Sequence, residues 1–339
     1  MLLVLTLAAP AASTAQQPEM PPVGIIDFYG LRRVTPQQAR AALGVTEGDS
    51  TPRSVAAAVR RLEALPGVAR AAVDRVCCEQ GKVILYVGVA ERGAPTIRFR
   101  PAPRGAARLP DEVVRAGAAY DSAFMAAVLR GDAGEDDSQG HALMHDSAAR
   151  AAQEQFIPLA ERHLPRLREV LRGSADAGQR ALAAELIAYH PDKRAVVPEL
   201  VAAMRDPSAG VRNNATRALA VIAVLAQRRP ELGIGVPTAP FVDMLNSLVW
   251  TDRNKSSIAL GRLTATRDPT LLATLRARAL PALVDIARWK APGHASSGIV
   301  ILGRIAGWSE ERIGQAMQSG DRESVIAAAR GGQRHEAVP

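Results

Sequence analysis

Val197-Pro198-Glu199-Leu200-Val201-Ala202-Ala203-Met204-Arg205-Asp206-Pro207-Ser208-Ala209-Gly210-Val211-Arg212-Asn213-Asn214-Ala215-Thr216-Arg217-Ala218-Leu219 reads as two amphipathic helices with a turn between them. Pro198 is expected in the first turn of its helix, where the missing N–H costs no bond. Leu200 and Met204 stand four apart and share a face. Asp206-Pro207-Ser208 breaks the chain, and Val211, Ala215, Ala218 and Leu219 restore an apolar stripe beyond it. The mark recurs in Leu164-Pro165-Arg166-Leu167, Ala239-Pro240-Phe241-Val242 and Leu280-Pro281-Ala282-Leu283, each opening a helical run, with successive prolines 33, 42 and 41 residues apart. A period of about 30–47 residues marks a helical array. Single units cannot bury their apolar faces alone, so they stack into an α-solenoid. Helix pairs are expected at 142–159 with 161–172, 176–189 with 194–205, 209–227 with 238–249, 254–266 with 269–289, and 295–306 with 308–317. Ala259-Leu260-Gly261-Arg262-Leu263 returns 42 residues later as Ile301-Leu302-Gly303-Arg304-Ile305, with Gly261 and Gly303 read as points of close helix approach.

This pattern resembles the HEAT repeat family over residues 141–320. The resemblance implies a ladder along the stack, built from an Asp in each turn and an Arg in the next helix. Asp206 and Arg212 match those positions, and Pro165, Pro198, Pro240 and Pro281 mark the units. It implies a broad binding surface and is silent on what binds there.

Composition agrees with a mostly helical chain. Hydrophobic residues make up 47% of the 339 and aromatics only 4%, so the apolar content is chiefly Ala, Leu and Val, and Ala is the best helix former. The formal charge is +8, with Lys82, Lys193, Lys255 and Lys290 the only lysines among 42 basic residues. That Arg and Ala excess suits a GC-rich genome. Basic runs with interleaved aromatics are missing, so no nucleic acid is expected as partner. Peripheral contact with acidic envelope components stays open.

Residues 1–15 run Met-Leu-Leu-Val-Leu-Thr-Leu-Ala-Ala-Pro-Ala-Ala-Ser-Thr-Ala. A short apolar run followed by Ser13 and Ala15 fits a cleaved secretory signal peptide, although no basic residue precedes the run. The mature chain is therefore expected in the periplasm or outside the cell, without a transmembrane segment. Residues 16–22 read as a linker. Cys77 and Cys78, the only cysteines, are adjacent. They exclude a disulfide framework. One is expected to pack inward from a strand and the other to face out, with a vicinal disulfide as the alternative.

Residues 23–92 carry a second pattern. Val23 to Gly30 is a short strand, Pro36–Leu43 a helix capped by Thr35, and Pro52–Leu65 a helix with Val55, Val59 and Leu62 on one face. Strands follow at Val68–Cys77 and Lys82–Val89. On the last strand Val83, Leu85, Val87 and Val89 alternate with Lys82, Ile84, Tyr86 and Gly88. The order β-α-α-β-β, with Ile26-Asp27-Phe28-Tyr29-Gly30, Val34-Thr35, Leu43, Gly48-Asp49, Ala58-Val59-Arg60-Arg61-Leu62, Leu65-Pro66-Gly67-Val68, Val87 and Glu91-Arg92, resembles a POTRA domain. That resemblance implies a small module of envelope proteins that docks by strand addition to a sheet edge within residues 69–89. Val83, Leu85 and Val87 are the candidate edge-strand contacts.

Residues 93–109 are rich in Pro, Gly and Arg and read as an inter-domain linker. A helix with an acidic first turn and a mobile acidic loop are expected over 110–140. A helix end and frayed tail are expected over 321–339. The expected fold is thus a small α+β domain joined to an all-α solenoid. His141 and His145, four apart beside Asp146, would share a helix face and could hold a metal. No Glu follows His141 in the manner of the zinc-protease motif. Trp250, Trp289 and Trp308 recur at helix ends and are candidates for lining a solenoid groove. Walker-type loops, dinucleotide fingerprints and nucleophile elbows are missing from the sequence. The chain therefore reads as an exported, non-enzymatic adaptor without a cofactor, binding protein partners of the bacterial envelope through both modules. The alternatives are a metal-dependent hydrolase using His141 and His145, and a cytosolic HEAT-repeat regulator.

Overall fold

The computed structural model describes residues 20–132 and 134–331. The first 92 residues supply β1 (Val23–Tyr29), α1 (Pro36–Leu43), α2 (Ala56–Glu63), β2 (Val68–Glu79) and β3 (Lys82–Glu91). Thr35 opens α1 through a reciprocal capping box with Gln38, which satisfies two N–H groups that a helix start leaves free. The sheet order is β1-β3-β2. β3 pairs in parallel with β1 and antiparallel with β2. Val83, Leu85 and Val87 are therefore on the central strand and cannot form an edge. Their side chains are fully buried in an aliphatic cluster with Ile26, Leu43 and Leu62 beneath α1 and α2. Of the last two strands, β2 is the one at the edge.

The segment 93–109 does not hang between modules; it lies on the helices as a strap. The Arg100 N–H donates to Arg205 O at 2.7 Å, and its guanidinium reaches Leu171 O, Arg172 O and Asp206. Gly105 pairs with Ser174 as an isolated bridge. A side chain at Gly105 would meet Gly173 O at 2.6 Å, so only Gly fits there.

Next come α3 (Asp111–Leu129), a hairpin of β4 (Glu135–Asp136) and β5 (Leu143–Met144), and α4 (Ser147–Glu154). The acidic stretch expected to be mobile is tied down, with Glu135 on Arg217 and Asp137 on Arg262. The stack proper is α5 (Phe156–Gly173), α6 (Ala177–Ile187), α7 (Lys193–Ala203), α8 (Ala209–Arg228), α9 (Ala239–Met244), α10 (Trp250–Leu263), α11 (Pro269–Ala287), α12 (Pro292–Ile305), α13 (Glu310–Ser319) and α14 (Arg322–Gly331). The pairs that pack are α5 with α6, α7 with α8, α9 with α10 and α11 with α12, while α6, α8, α10 and α12 stack in one layer. The expected pairs are thus out of phase by one helix: α5, expected as the second helix of a pair, is the first, and it runs unbroken through Pro165. Pro198 and Pro281 also lie inside α7 and α11, and only Pro240 stands in a first turn. Each interior proline removes one backbone bond, a loss these helices offset by packing. Of the repeated glycines, Gly303 is the tight one. A Cβ there would lie 2.5 Å from Ile313, whereas at Gly261 it would make ordinary contact with Ser297. The chain end is also more ordered than a frayed tail up to residue 331: α14 buries Val325, Ile326 and Ala329.

Along the stack the ladder is present. Arg180 donates twice to Asp206 at 2.9 Å, and Arg212 pairs with Asp252 at 2.8 Å. Each Arg also holds the carbonyls of its own turn, Ser174 and Ala175 for Arg180, Asp206 and Pro207 for Arg212. Arg253 repeats the first half of the pattern on Ser247 O. All four paired groups are at most 3% exposed, so their hydrogen bonds must match to offset the desolvation.

Candidate functional site

Alternation along the sheet sends one set of side chains to α1 and α2 and the other to the solenoid. The second set is Asp27 and Tyr29 on β1, Asp74 on β2, and Ile84, Tyr86 and Gly88 on β3. Tyr29, Ile84 and Tyr86 belong to the solenoid's own core. Tyr86 stacks on Trp250 with ring centres 5.1 Å apart and lies 5.0 Å from Trp289. Tyr29 meets Trp289 edge-on, donates to Leu248 O at 2.6 Å and lies under the Arg253 guanidinium. Gly88 is where the two bodies come closest. A Cβ would stand 2.5 Å from Leu248 O and 2.7 Å from the Tyr29 ring.

Two carboxylates of the sheet cap the helical body. Asp74 accepts from the N–H of Trp250, the first residue of α10, and Asp27 from the N–H of Lys290, just before α12. Both are favourable places for an anion at a helix start. Burial nevertheless pushes both carboxyls above their ordinary range, against the pull of those N–H groups. The Tyr86 hydroxyl is 2.7 Å from His294 Nδ1. Burial raises the phenol and lowers the imidazole, so both shifts favour the neutral forms of the pair.

These contacts relocate the tryptophans. Trp250 and Trp289 line the internal seam between sheet and helices, not an open groove. Trp308 is buried beneath Arg312. The structure brings the first two together and leaves the third apart. Sequence reasoning missed Asp27, Tyr29, Asp74, Tyr86 and Lys290. The signal was present on β3, whose supposed outer face carries Ile84, Tyr86 and Gly88 where a solvated face would carry charges.

The histidine site does not assemble. His141 and His145 flank β5 instead of sharing a helix face. His145 is exposed, and its neighbour Asp146 is taken up as the N-cap of α4 and by Arg130. Among the described residues, no group of three or more His, Cys, Asp or Glu is arranged to hold a metal. His141 lies instead at a polar pocket with Glu185, Tyr189, Asn214 and Arg217. Burial and the Lys193 ammonium, 3.3 Å away, lower His141 to about 4, and burial lowers Lys193 to about 8. Burial raises Glu185 to about 7, with Arg217 opposing. The cavity is ≈ 20 Å³, room for one water and too small for a substrate. An acid inside the apolar run Ala181-Leu182-Ala183-Ala184-Glu185-Leu186-Ile187 was the sequence signal for this pocket.

Cys77 and Cys78 are disulfide-bonded to each other and both exposed, which corrects the expected split into one inward and one outward thiol. The bond lies at the β2–β3 hairpin, on the edge side of the sheet.

The chain is a solenoid of stacked helix pairs with a small mixed sheet docked on it. No protein-family model matches it, and no curated protein matches it. Among solved structures it is similar to the complex of CpcE and CpcF of phycocyanin lyase from Nostoc sp. PCC7120, at 17% identity and a TM-score of 0.22, over 66% of this chain and 99% of that one. That protein is a lyase, so the expectation that this chain makes and breaks no bond is withdrawn. At this TM-score the likeness carries no argument about its chemistry. No described helix is long and apolar enough to cross a membrane.

Proposed function

We propose that this chain is a protein-binding helical-repeat scaffold of the cell envelope, and that β2 receives an extended segment of its partner. The observation that carries this reading is the edge position of β2. In an antiparallel pair, N–H and C=O groups of alternate residues point away from the partner strand. Ala71 donates outward, to Glu63 Oε1, so Val73 and Arg75 share its outward direction. No described strand covers that side. A partner strand would take up these groups as the POTRA-like reading of residues 23–92 implies. The other edge is less accessible: Val23 exchanges bonds with Gly48 and Asp49, and Lys290 Nζ occupies Ile26 O.

Arg75→Pro tests this directly, because it removes an outward N–H and no bond to β3. A photo-crosslinker at Arg70, used in cells of the native host, should capture a protein from the wild type and lose it in the folded R75P variant. Equal capture by both would rule strand addition out. Export is proposed from the first fifteen residues, which lie outside the described structure, and the Cys77–Cys78 disulfide suits an oxidising compartment. A mature N-terminus at Gln16 would support it; Met1 would favour the cytosolic regulator.

A further inference from the structure

We infer that the seam between sheet and solenoid contains an oxyanion-binding site, for the phosphate or carboxylate group of a small ligand. This is independent of what pairs with β2. A cavity of ≈ 260 Å³ lies where β3 ends against the solenoid turn before α10, and Arg32, Arg33, Arg92 and Arg253 line it together with Glu91 and Asn246.

Arg253 forms the floor. It is 5% exposed. Its Nε donates to Ser247 O at 2.6 Å, and the guanidinium carbon lies 4.5 Å from the centre of the Tyr29 ring. These two contacts fix the plane of the group. One terminal nitrogen has no hydrogen-bond partner, and Asp285 Oδ2 stands 3.7 Å from it, outside bonding range. The same Asp285 oxygen is held by the Gly30 N–H at 3.0 Å. The Arg253 nitrogen is itself closed off from solvent and faces Asp285, so what Arg253 lends the cavity floor is its positive charge.

The rim supplies further charge. Arg33 and Arg92 are exposed and make no side-chain hydrogen bond or ion pair among the described residues. The one carboxylate in the lining offsets part of that charge, with Arg33 among the groups that keep it ionised, but its oxygens are taken up by backbone donors. Glu91 Oε1 accepts from the N–H groups of Arg32, Arg33 and Val34, at 2.7 to 3.0 Å, and Oε2 accepts again from Arg33. Burial acts to raise that carboxyl, and the backbone donors outweigh it and hold it below its ordinary range. Glu91 is thus spent on shaping the loop that presents Arg32 and Arg33. Guanidinium groups bind carboxylate and phosphate through paired N–H donors, so a compact oxyanion is the group this lining fits. The cavity shares Pro95 and Asn246 with a second one of ≈ 390 Å³, whose Asp243 is already bridged by Arg205 and Arg278. That neighbour gives room for the uncharged body of a ligand.

Calorimetric titration of the full chain at low ionic strength, first with inorganic phosphate and then with succinate, tests the site. Saturable one-to-one binding of at least one anion is expected. The Arg33→Gln/Arg92→Gln double variant should bind it at least about tenfold more weakly at an unchanged melting temperature. Binding of phosphate alone assigns a phosphoryl ligand; binding of succinate alone assigns a carboxylate. No saturable heat with either anion, or equal affinity in the folded double variant, overturns the proposal.

Discussion

The three-stranded sheet is buried on both faces, and the two faces differ in kind. Against α1 and α2 it presents Val83, Leu85, Val87 and Val89, an aliphatic surface that needs only volume and shape. Against the solenoid it presents two tyrosines, two carboxylates and a glycine, each aimed at one group: Trp250, Trp289, Leu248 O, or the N–H groups of Trp250 and Lys290. The first face would serve any small α+β fold. The second is specific to its seat, so the sheet belongs to the helical body as an attached wall and does not act as a separately tethered module.

The difference can be broken in stages. The largest loss is expected outside the sheet, as a reference. Asp206→Ala leaves Arg180 buried without its partner and should cost about 3–5 kcal/mol, measured by urea unfolding of the whole chain. Leu85→Ala empties the aliphatic face and should cost about 2–5 kcal/mol, with the sheet signal lost ahead of the helical one. Gly88→Val places methyl groups against Leu248 O and the Tyr29 ring and should cost about 1–3 kcal/mol. The tell-tale reading is a change in Trp250 and Trp289 fluorescence while the circular dichroism stays native. A fluorescence spectrum unchanged from wild type would show that the seam is looser than described.

The smallest effect separates the faces by pH. Asp74 has a carboxyl raised above 3.8 by burial, so the folded state holds its proton more tightly than the unfolded one. Its contribution to stability therefore falls as pH rises from 3.8 through the folded pKa. Asp206 is the reverse. Burial pushes it up, but hydrogen bonds from Arg180 and Arg100 prevail and hold it below 3.8. Its contribution is present above 3.8 and lost as pH falls through its folded pKa. Asp74→Asn should thus stabilise the protein at pH 7 and do so less and less as pH falls toward 3.8. A penalty at pH 7 would mean that the charge on Asp74 is needed by Trp250 N–H more than burial opposes it.

Much of the helical body was readable because period and turn chemistry are local. The Asp206-Pro207-Ser208 turn, the Asp206 and Arg212 ladder positions and the strand-helix-helix-strand-strand order are all there in the chain. Helix phase was not, since Pro165, Pro198 and Pro281 are tolerated inside helices by packing that no local rule contains. The central place of β3 was hidden for another reason. A strand paired on both sides and a strand paired on one side can carry the same alternation. The seam was half visible: Ile84, Tyr86 and Gly88 declare a second buried face, but nothing near them names Trp250 or Trp289, more than 160 residues away. His141 and His145 misled because four-residue spacing has meaning only on a helix.

That separation has a consequence for synthesis. Tyr86 leaves the ribosome about 200 residues before Trp289 and His294, the groups that cover it. At about 5–20 residues per second, the finished sheet waits roughly 10–40 s with its aromatic face bare. Strap, hairpin and nine helices must emerge before the wall can be set in place, so the nascent chain spends that interval as a ready client for any chaperone that reads exposed tyrosine and isoleucine.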